Sequence, residues 1–233
     1  MNETEYLQKK AQFQNEMYTF IDRNHTRISN NSKRLCHFFE LACYSRVLQY
    51  YRQQNFSISI RSPPPTNIFR FKATTSGIPN KYSFFRISRP SNLNDNKRIE
   101  YDIRSNMRVR SFYDDGDYIP DIVIAKASDN LDIQKIDNED LISFCEVKYL
   151  RPHPEMLANF IGFVIELTPD LSVEPMDPQW IHPAPSLIVS GDSSPNVDSI
   201  RESMTNRYPV NFALNYENNS DGLIPSKKIP DRV

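Results

Sequence analysis

The stretch ISFCEVKYL, residues 142–150, carries the residue types of a buried β-strand with an acid and a base two positions apart in its middle. Ile142, Phe144, Cys145, Val147, Tyr149 and Leu150 favour the inside of a sheet; Glu146 and Lys148 do not. Side chains alternate faces along a strand, so Phe144, Glu146 and Lys148 share one face and Cys145, Val147 and Tyr149 the other. An unpaired charge in a core costs several kcal/mol, so the pair needs a reason. Mutual neutralisation at a sheet end is the plain one. The triplet alone is weak, since 12 Glu and 11 Lys in 233 residues give roughly 0.6 Glu-x-Lys matches by chance.

Its surroundings strengthen it. Asp121, behind Pro120, opens a second apolar strand, PDIVIA, twenty-five residues upstream of Glu146. Two adjacent strands would bring Asp121 and Glu146 together beside Lys148. Paired carboxylates on a rigid sheet offer the hard oxygen ligands that Mg²⁺ takes, with water completing its shell. A neighbouring lysine can orient or help deprotonate a water and stabilise charge on a phosphate oxygen.

Outward from these strands, SKRLCHFFELACYSRVLQYYRQQN reads as a helix, with Leu41, Tyr44, Leu48 and Tyr51 at helical spacing, Leu35 and Phe38 extending the stripe, Ser32 as N-cap, and the pattern failing at Asn55. Glu40 lies near the edge of that stripe, where an exposed helix acid is the ordinary reading. FSISIR, NIFRFKATT, KYSFFRIS and RIEYDIRSNMRVRSF alternate as strands between turns rich in proline, glycine and asparagine. The last of these runs sets Arg104, Arg108 and Arg110 on one basic face. After Lys148 come a proline turn, the apolar helix PEMLANFIGFVIEL, the strand PSLIVSG, the helix NVDSIRESMTNRY and the strand PVNFALNY. The fold class expected is α/β (α+β): a central mixed β-sheet flanked by helices, in one domain over residues 32–217. Residues 1–31 read as a helical extension whose stretch RNHTRISNNS is a loop, and 218–233 as a flexible tail.

No apolar run is long enough to span a membrane and the N-terminus lacks a signal-peptide pattern, so a cytoplasmic protein without a membrane partner is expected. The three cysteines form no CxxC pair and read as reduced, buried thiols. The four histidines read as structural rather than metal-ligating. The net charge of −1 hides an asymmetry: residues 31–112 hold 15 Lys and Arg against 4 Asp and Glu, residues 113–147 hold 2 against 10. A basic half for a polyanion beside an acidic pocket for cations is one reading; ordinary variation over a solvated surface is the other.

PD at 120–121 followed by CEVK at 145–148, each on an apolar strand, resembles the PD-(D/E)xK nuclease superfamily. The order of elements from residue 32 to about 215 is similar to its restriction-endonuclease-like core. The resemblance implies Asp121 and Glu146 as metal ligands, the Val147 carbonyl as a further ligand, Lys148 as the catalytic lysine, and Glu40 as the acid on the first core helix. It also implies Mg²⁺ (or Mn²⁺) and hydrolysis of phosphodiester bonds. Some members carry a Gln or Tyr on the helix after the lysine strand; here that helix offers Glu155 and Asn159. Arg70, Lys72, Arg86, Arg104, Arg108 and Arg110 are candidate nucleic-acid contacts, each weighed against an ordinary surface charge.

Three readings stand open on the sequence. One is a DNA endonuclease of restriction, defence or mobile-element type, working as a homodimer or in a larger complex. Another is a non-cleaving subunit that binds or assembles on nucleic acid with the same scaffold. The third is an unrelated α/β protein with a Glu–Lys pair at a strand end.

Overall fold

The stripe of Leu41, Tyr44, Leu48 and Tyr51 folds as helix α1 (Leu35–Gln53) and is buried along its length. Asn55 ends the turn that follows at φ +63, the left-handed conformation asparagine tolerates better than most residues. The computed structural model describes residues 27–28, 35–63, 68–90, 98–130, 133–167 and 182–216. The expected N-terminal helix, the Ser32 cap and the 218–233 tail lie outside the described residues.

The main sheet has seven strands: β2 (Ser57–Arg61), β4 (Phe84–Pro90), β5 (Arg98–Ser105), β8 (Ile122–Lys126), β10 (Leu141–Lys148), β11 (Ser186–Val189) and β12 (Asn211–Ala213). Their order is β12-β11-β10-β8-β5-β4-β2. Neighbours from β2 to β10 are antiparallel, while β10, β11 and β12 run parallel. Parallel neighbours need crossovers, supplied by α2 (Pro154–Leu167) between β10 and β11 and α3 (Pro195–Arg207) between β11 and β12. α1 packs Tyr44 and Leu48 against Ile103, Ile124, Cys145 and Val147 on one face. α2 and α3 pack Leu157, Phe160 and Val197 against Phe144 and Leu187 on the other. The architecture is therefore the expected mixed sheet flanked by helices.

β10 is buried on both faces up to Val147. Its pleat is not uniform. Ile142 packs with the α1 layer and Phe144 with the α2 layer although they are two residues apart, because the pairing with β8 shifts between Leu141 and Ser143. From Phe144 onward the alternation is regular. Cys145 and Val147 face α1, while Glu146 and Lys148 line a cleft beside α2.

Three strand expectations change. The run from Arg98 to Phe112 breaks at Asn106, left-handed at φ +49. β6 (Arg108–Arg110) thereby leaves the main sheet for a small one with β7 (Asp117–Tyr118) and β9 (Lys135–Ile136), in the order β7-β6-β9. NIFRFKATT contributes only β3 (Ile68–Phe69), parallel to β1 (Arg27–Ile28), which itself lies in the stretch expected as a loop. The strand cannot continue because Lys72 folds inward, donating to the carbonyls of Thr74, Thr75 and Asn106. The Asn106 amide returns the bond to the Lys72 carbonyl at 2.8 Å. That reciprocal clamp holds the turn between β5 and β6.

Candidate active site

Antiparallel pairing of β8 with β10, in register at Cys145 and Ile122, sets Asp121 beside the end of the Glu146–Lys148 segment. The Lys148 Nζ lies 3.0 Å from Asp121 Oδ2 and 2.7 Å from Glu146 Oε2. The Val147 amide donates to the same Asp121 Oδ2 at 2.7 Å, and the Asn106 amide donates to the Asp121 carbonyl at 2.9 Å. Asp121 is thus fixed at side chain and backbone together. Extending the register by two pairs brings Asp121 opposite Glu146 and then Pro120 opposite Val147. Proline has no N–H to offer the ladder, so the Val147 carbonyl, which points the same way as its amide, faces a partner that cannot donate to it. Pro120 thus removes one ladder donor on the side of β10 where the carboxylates lie.

Glu40 reaches this group from α1. Burial pushes its carboxyl up from the ordinary 4.5 to about 7, the charge of Asp121 pushes the same way, and Lys148 opposes both. Burial also raises Glu146 well above the usual carboxylate range, with Asp121 adding to it and Lys148 working against it. For Lys148 burial favours the neutral amine, but Glu146 and Asp121 more than reverse this and hold the ammonium charged. Two carboxylates, Asp121 and Glu146, contact the one ammonium, and Glu40 feels the charges of Asp121 and Lys148 from α1, which leaves negative charge in excess whenever all are ionised. Two oxygens of the cluster, Glu40 Oε2 and Glu146 Oε1, are buried without a hydrogen-bond partner. Buried acceptors of this kind are rare, and each costs about 1–3 kcal/mol.

Among the described residues no three His, Cys, Asp or Glu side chains converge closely enough to cage a metal unaided. What meets here is a pair of carboxylates, Asp121 and Glu146, bridged by Lys148; oxygen donors are the kind a hard cation takes. An open cleft of about 620 Å³ borders the cluster, with Glu146 and Lys148 in its wall and Tyr118, Asn159, Phe160 and Phe163 among its other lining residues.

Compared with family models, with curated proteins and with solved structures, the chain gives no match in any of the three. Function is therefore read from the side chains themselves.

The sequence-predicted residues sort by burial. Asp121, Glu146 and Lys148 come together, with Val147 joining through its backbone amide, and Glu40 on α1 feels the charges of Asp121 and Lys148. Three of the candidate nucleic-acid contacts do not reach the surface. Lys72 is spent inside the turn it clamps. Arg86 grips Asp102 with two bonds, at 2.8 and 3.1 Å, and Arg104 lies 3.2 Å from the same carboxylate with its guanidinium 3.6 Å from the Phe84 ring centre. The expected basic face of Arg104, Arg108 and Arg110 dissolves, because the first sits in the main sheet and the others beyond the Asn106 break. Arg108 and Arg70 are exposed, and Arg110 pairs with Asp137 at 3.4 Å.

The cysteines are free and the Cys145 thiol is raised to about 12 by burial, so it packs and does not react. His182 is buried against Tyr51, whose hydroxyl lies 2.7 Å from its Nδ1, and burial drives the ring down to about 3, leaving it neutral. Glu155 is exposed outside the cleft, whereas Asn159 lines it. Apart from Asn159, the sequence does not single out the cleft's members on α2. Asn159, Gly162, Phe163 and Glu166 recur at helical spacing on one side of α2, a signal present in the sequence but masked by the apolar residues between them.

Proposed function

We propose that the chain is a nuclease dependent on Mg²⁺ or Mn²⁺, built on a restriction-endonuclease-like core and hydrolysing phosphodiester bonds, foremost as a DNA endonuclease of restriction, defence or mobile-element type. The observation that carries this is the pair of buried, unpartnered oxygens, Glu40 Oε2 and Glu146 Oε1, in a cluster with surplus negative charge. The topology supports it: an acid-bearing helix, antiparallel strands, the two strands carrying Asp121 and Glu146–Lys148, a crossover helix and a parallel strand.

Asp121, Glu146 and the Val147 carbonyl would hold the cation, with Glu40 facing it from α1. The ion supplies concentrated positive charge against the phosphoryl oxygens, where the transition state needs it. Lys148, kept charged by its two carboxylates and open to the cleft, binds a non-bridging phosphate oxygen and orients the attacking water. Asp121 cannot swing away, since Val147 and Lys148 hold one oxygen from two sides. Glu40, near 7, can take a proton at its free Oε2 in the neutral range. Assembly as a homodimer or in a larger complex would allow both strands of a duplex to be cut. Among the described residues no helix is long and apolar enough to cross a membrane, and a cytoplasmic location belongs to this proposal.

The test is plasmid cleavage by the purified chain. With Mg²⁺ or Mn²⁺ the plasmid is nicked or linearised, EDTA stops it, and Lys148→Ala lowers the rate by about 10²–10³-fold, the scale of losing one charge-stabilising donor. The burial of Lys72, Arg86 and Arg104 thins the basic surface and favours one rival, a subunit that binds or assembles on nucleic acid without cutting it. Wild-type protein that binds DNA or RNA but cleaves neither, in single or double strands, would establish that rival.

A further inference from the structure

The geometry points to a further binding site: we propose that the cleft beside Glu146 and Lys148 receives one unstacked nucleobase of the substrate strand, so that the site acts on single-stranded or locally opened nucleic acid. This rests on the nuclease reading of the same site and adds its substrate class. A nucleotide whose phosphate meets Lys148 has its base within reach of the cleft, because Lys148 is part of the cleft's wall. Its volume of about 620 Å³ lies within the span of roughly 300–1,000 Å³ of small-molecule sites.

The lining suits a base better than a phosphate. Glu146 and Glu166 both border it, which disfavours an anion within. Tyr118 and Phe163 pack edge to face with ring centres 5.3 Å apart, and Phe163 is half-buried, leaving ring surface for stacking. Aromatic surfaces of this kind hold bases whatever their identity. Asn159, one turn before Phe163, offers an amide donor and a carbonyl acceptor, the pair needed to bond a base edge.

Gly162 gives an independent reason. Inside a helix glycine is less stable than alanine, and a Cβ at this position would meet nothing within 4 Å. Packing therefore does not demand the glycine. What it preserves is open space on the cleft side of α2, next to Phe163 and one turn from Asn159.

The rim continues the pattern. Phe112 and Tyr113 are 61% and 64% exposed, with ring centres 5.1 Å apart. The Phe112 amide donates to the Glu166 carbonyl at 2.9 Å, which fastens this aromatic pair to the end of α2 that lines the cleft. It forms a second stacking platform for the neighbouring base. Bases held in a duplex are already stacked and paired, so only an opened strand can use both platforms without prior unstacking.

The experiment uses the full chain, a fluorescein-labelled single-stranded oligodeoxynucleotide and its duplex. Binding is read by anisotropy in EDTA and cleavage in Mn²⁺. The single strand binds more tightly than the duplex. Gly162→Leu, which fills the open space, and Phe163→Ala, which removes the ring, each weaken binding by about five- to one-hundred-fold, the scale of one stacked base. Gly162→Ala, which adds one carbon where nothing is in contact, folds and weakens binding less. An abasic nucleotide beside the cut lowers cleavage by a similar factor. If Gly162→Leu and Phe163→Ala bind and cut like wild type, or the abasic strand is cut equally well, the cleft assignment is overturned while the nuclease stands. Binding that depends on Gly162 and Phe163 without any cleavage keeps the base site and overturns the nuclease. Loss of neither because nothing binds or is cut overturns both.

Discussion

Two clusters of buried charge share the main sheet and differ in how completely they are closed. At β4 and β5, Asp102 is gripped by Arg86 and touched by Arg104, Arg86 also reaches the Ser128 carbonyl, and Arg104 lies flat on Phe84. Charges and hydrogen-bonding groups there find partners within the protein. At the ends of β8 and β10, Asp121 and Glu146 share one ammonium with Glu40 electrostatically coupled to them, and one buried oxygen each of Glu40 and Glu146 has no hydrogen-bond partner. Folding explains the first cluster. It does not explain the second, whose unpartnered oxygens cost stability as it stands; under the proposed function a cation and a substrate would complete it.

The largest expected effect tests the closed cluster. Asp102→Ala strands two buried guanidinium groups and should lower unfolding stability by about 3–5 kcal/mol in urea titration. An unchanged midpoint would erase the contrast. The next tests the open cluster through pH. With Glu40 raised from 4.5 to about 7, its contribution is fully present below 4.5 and is lost as pH rises through 7, because the fold then holds a buried charge that the unfolded chain solvates. Without metal, Glu40→Gln should therefore gain melting temperature over wild type between pH 5 and 8. Mg²⁺ should reverse the wild-type loss at pH 8 and do little at pH 5, where it competes with protons; at a hundredfold excess over its dissociation constant the gain is about 2.7 kcal/mol. The smallest effect is on Glu146→Gln. It relieves a carboxyl whose charged form burial and then Asp121 disfavour, against the loss of its ion pair to Lys148, so the metal-free protein at pH 8 should melt no more than about 2–4 °C higher, the equivalent of roughly 1 kcal/mol in a chain of this size, while under the proposed function cleavage disappears. A variant less stable than wild type would place Glu146 with the closed cluster.

The contrast also marks what was legible in the sequence. α1, β8, β10 and α2 follow from local periodicity, and so does the meeting of Asp121 with Glu146 and Lys148, because a strand pair brings near what alternation has already set on one face. Arg86 and Arg104 were misread for the opposite reason. On a single strand a charge in an alternating run looks solvent-facing, and only the cross-strand register of Arg86 with Asp102 shows it to be internal. Lys72 was misread because its acceptors are backbone carbonyls of a turn, which no side-chain pattern encodes. The bulge near Ser143 and the break at Asn106 likewise depend on partners distant in the chain. Glu40 was readable as a helix acid, but its displaced proton affinity comes from neighbours eighty and more residues away.

Phe39 precedes Glu40, Tyr149 follows Lys148, and the two rings lie 5.6 Å apart, with Tyr216 edge-on to Phe39 at 6.4 Å. The segments that carry Glu40 and Lys148 are thus packed against a residue just beyond β12. During synthesis the ribosome releases Glu40, Asp121, Glu146 and Lys148 well before Tyr216 can dock. A nascent chain halted in that interval would hold Glu40, Asp121, Glu146 and Lys148 without the ring that packs behind them, so the cluster takes its final setting only once Tyr216 has docked.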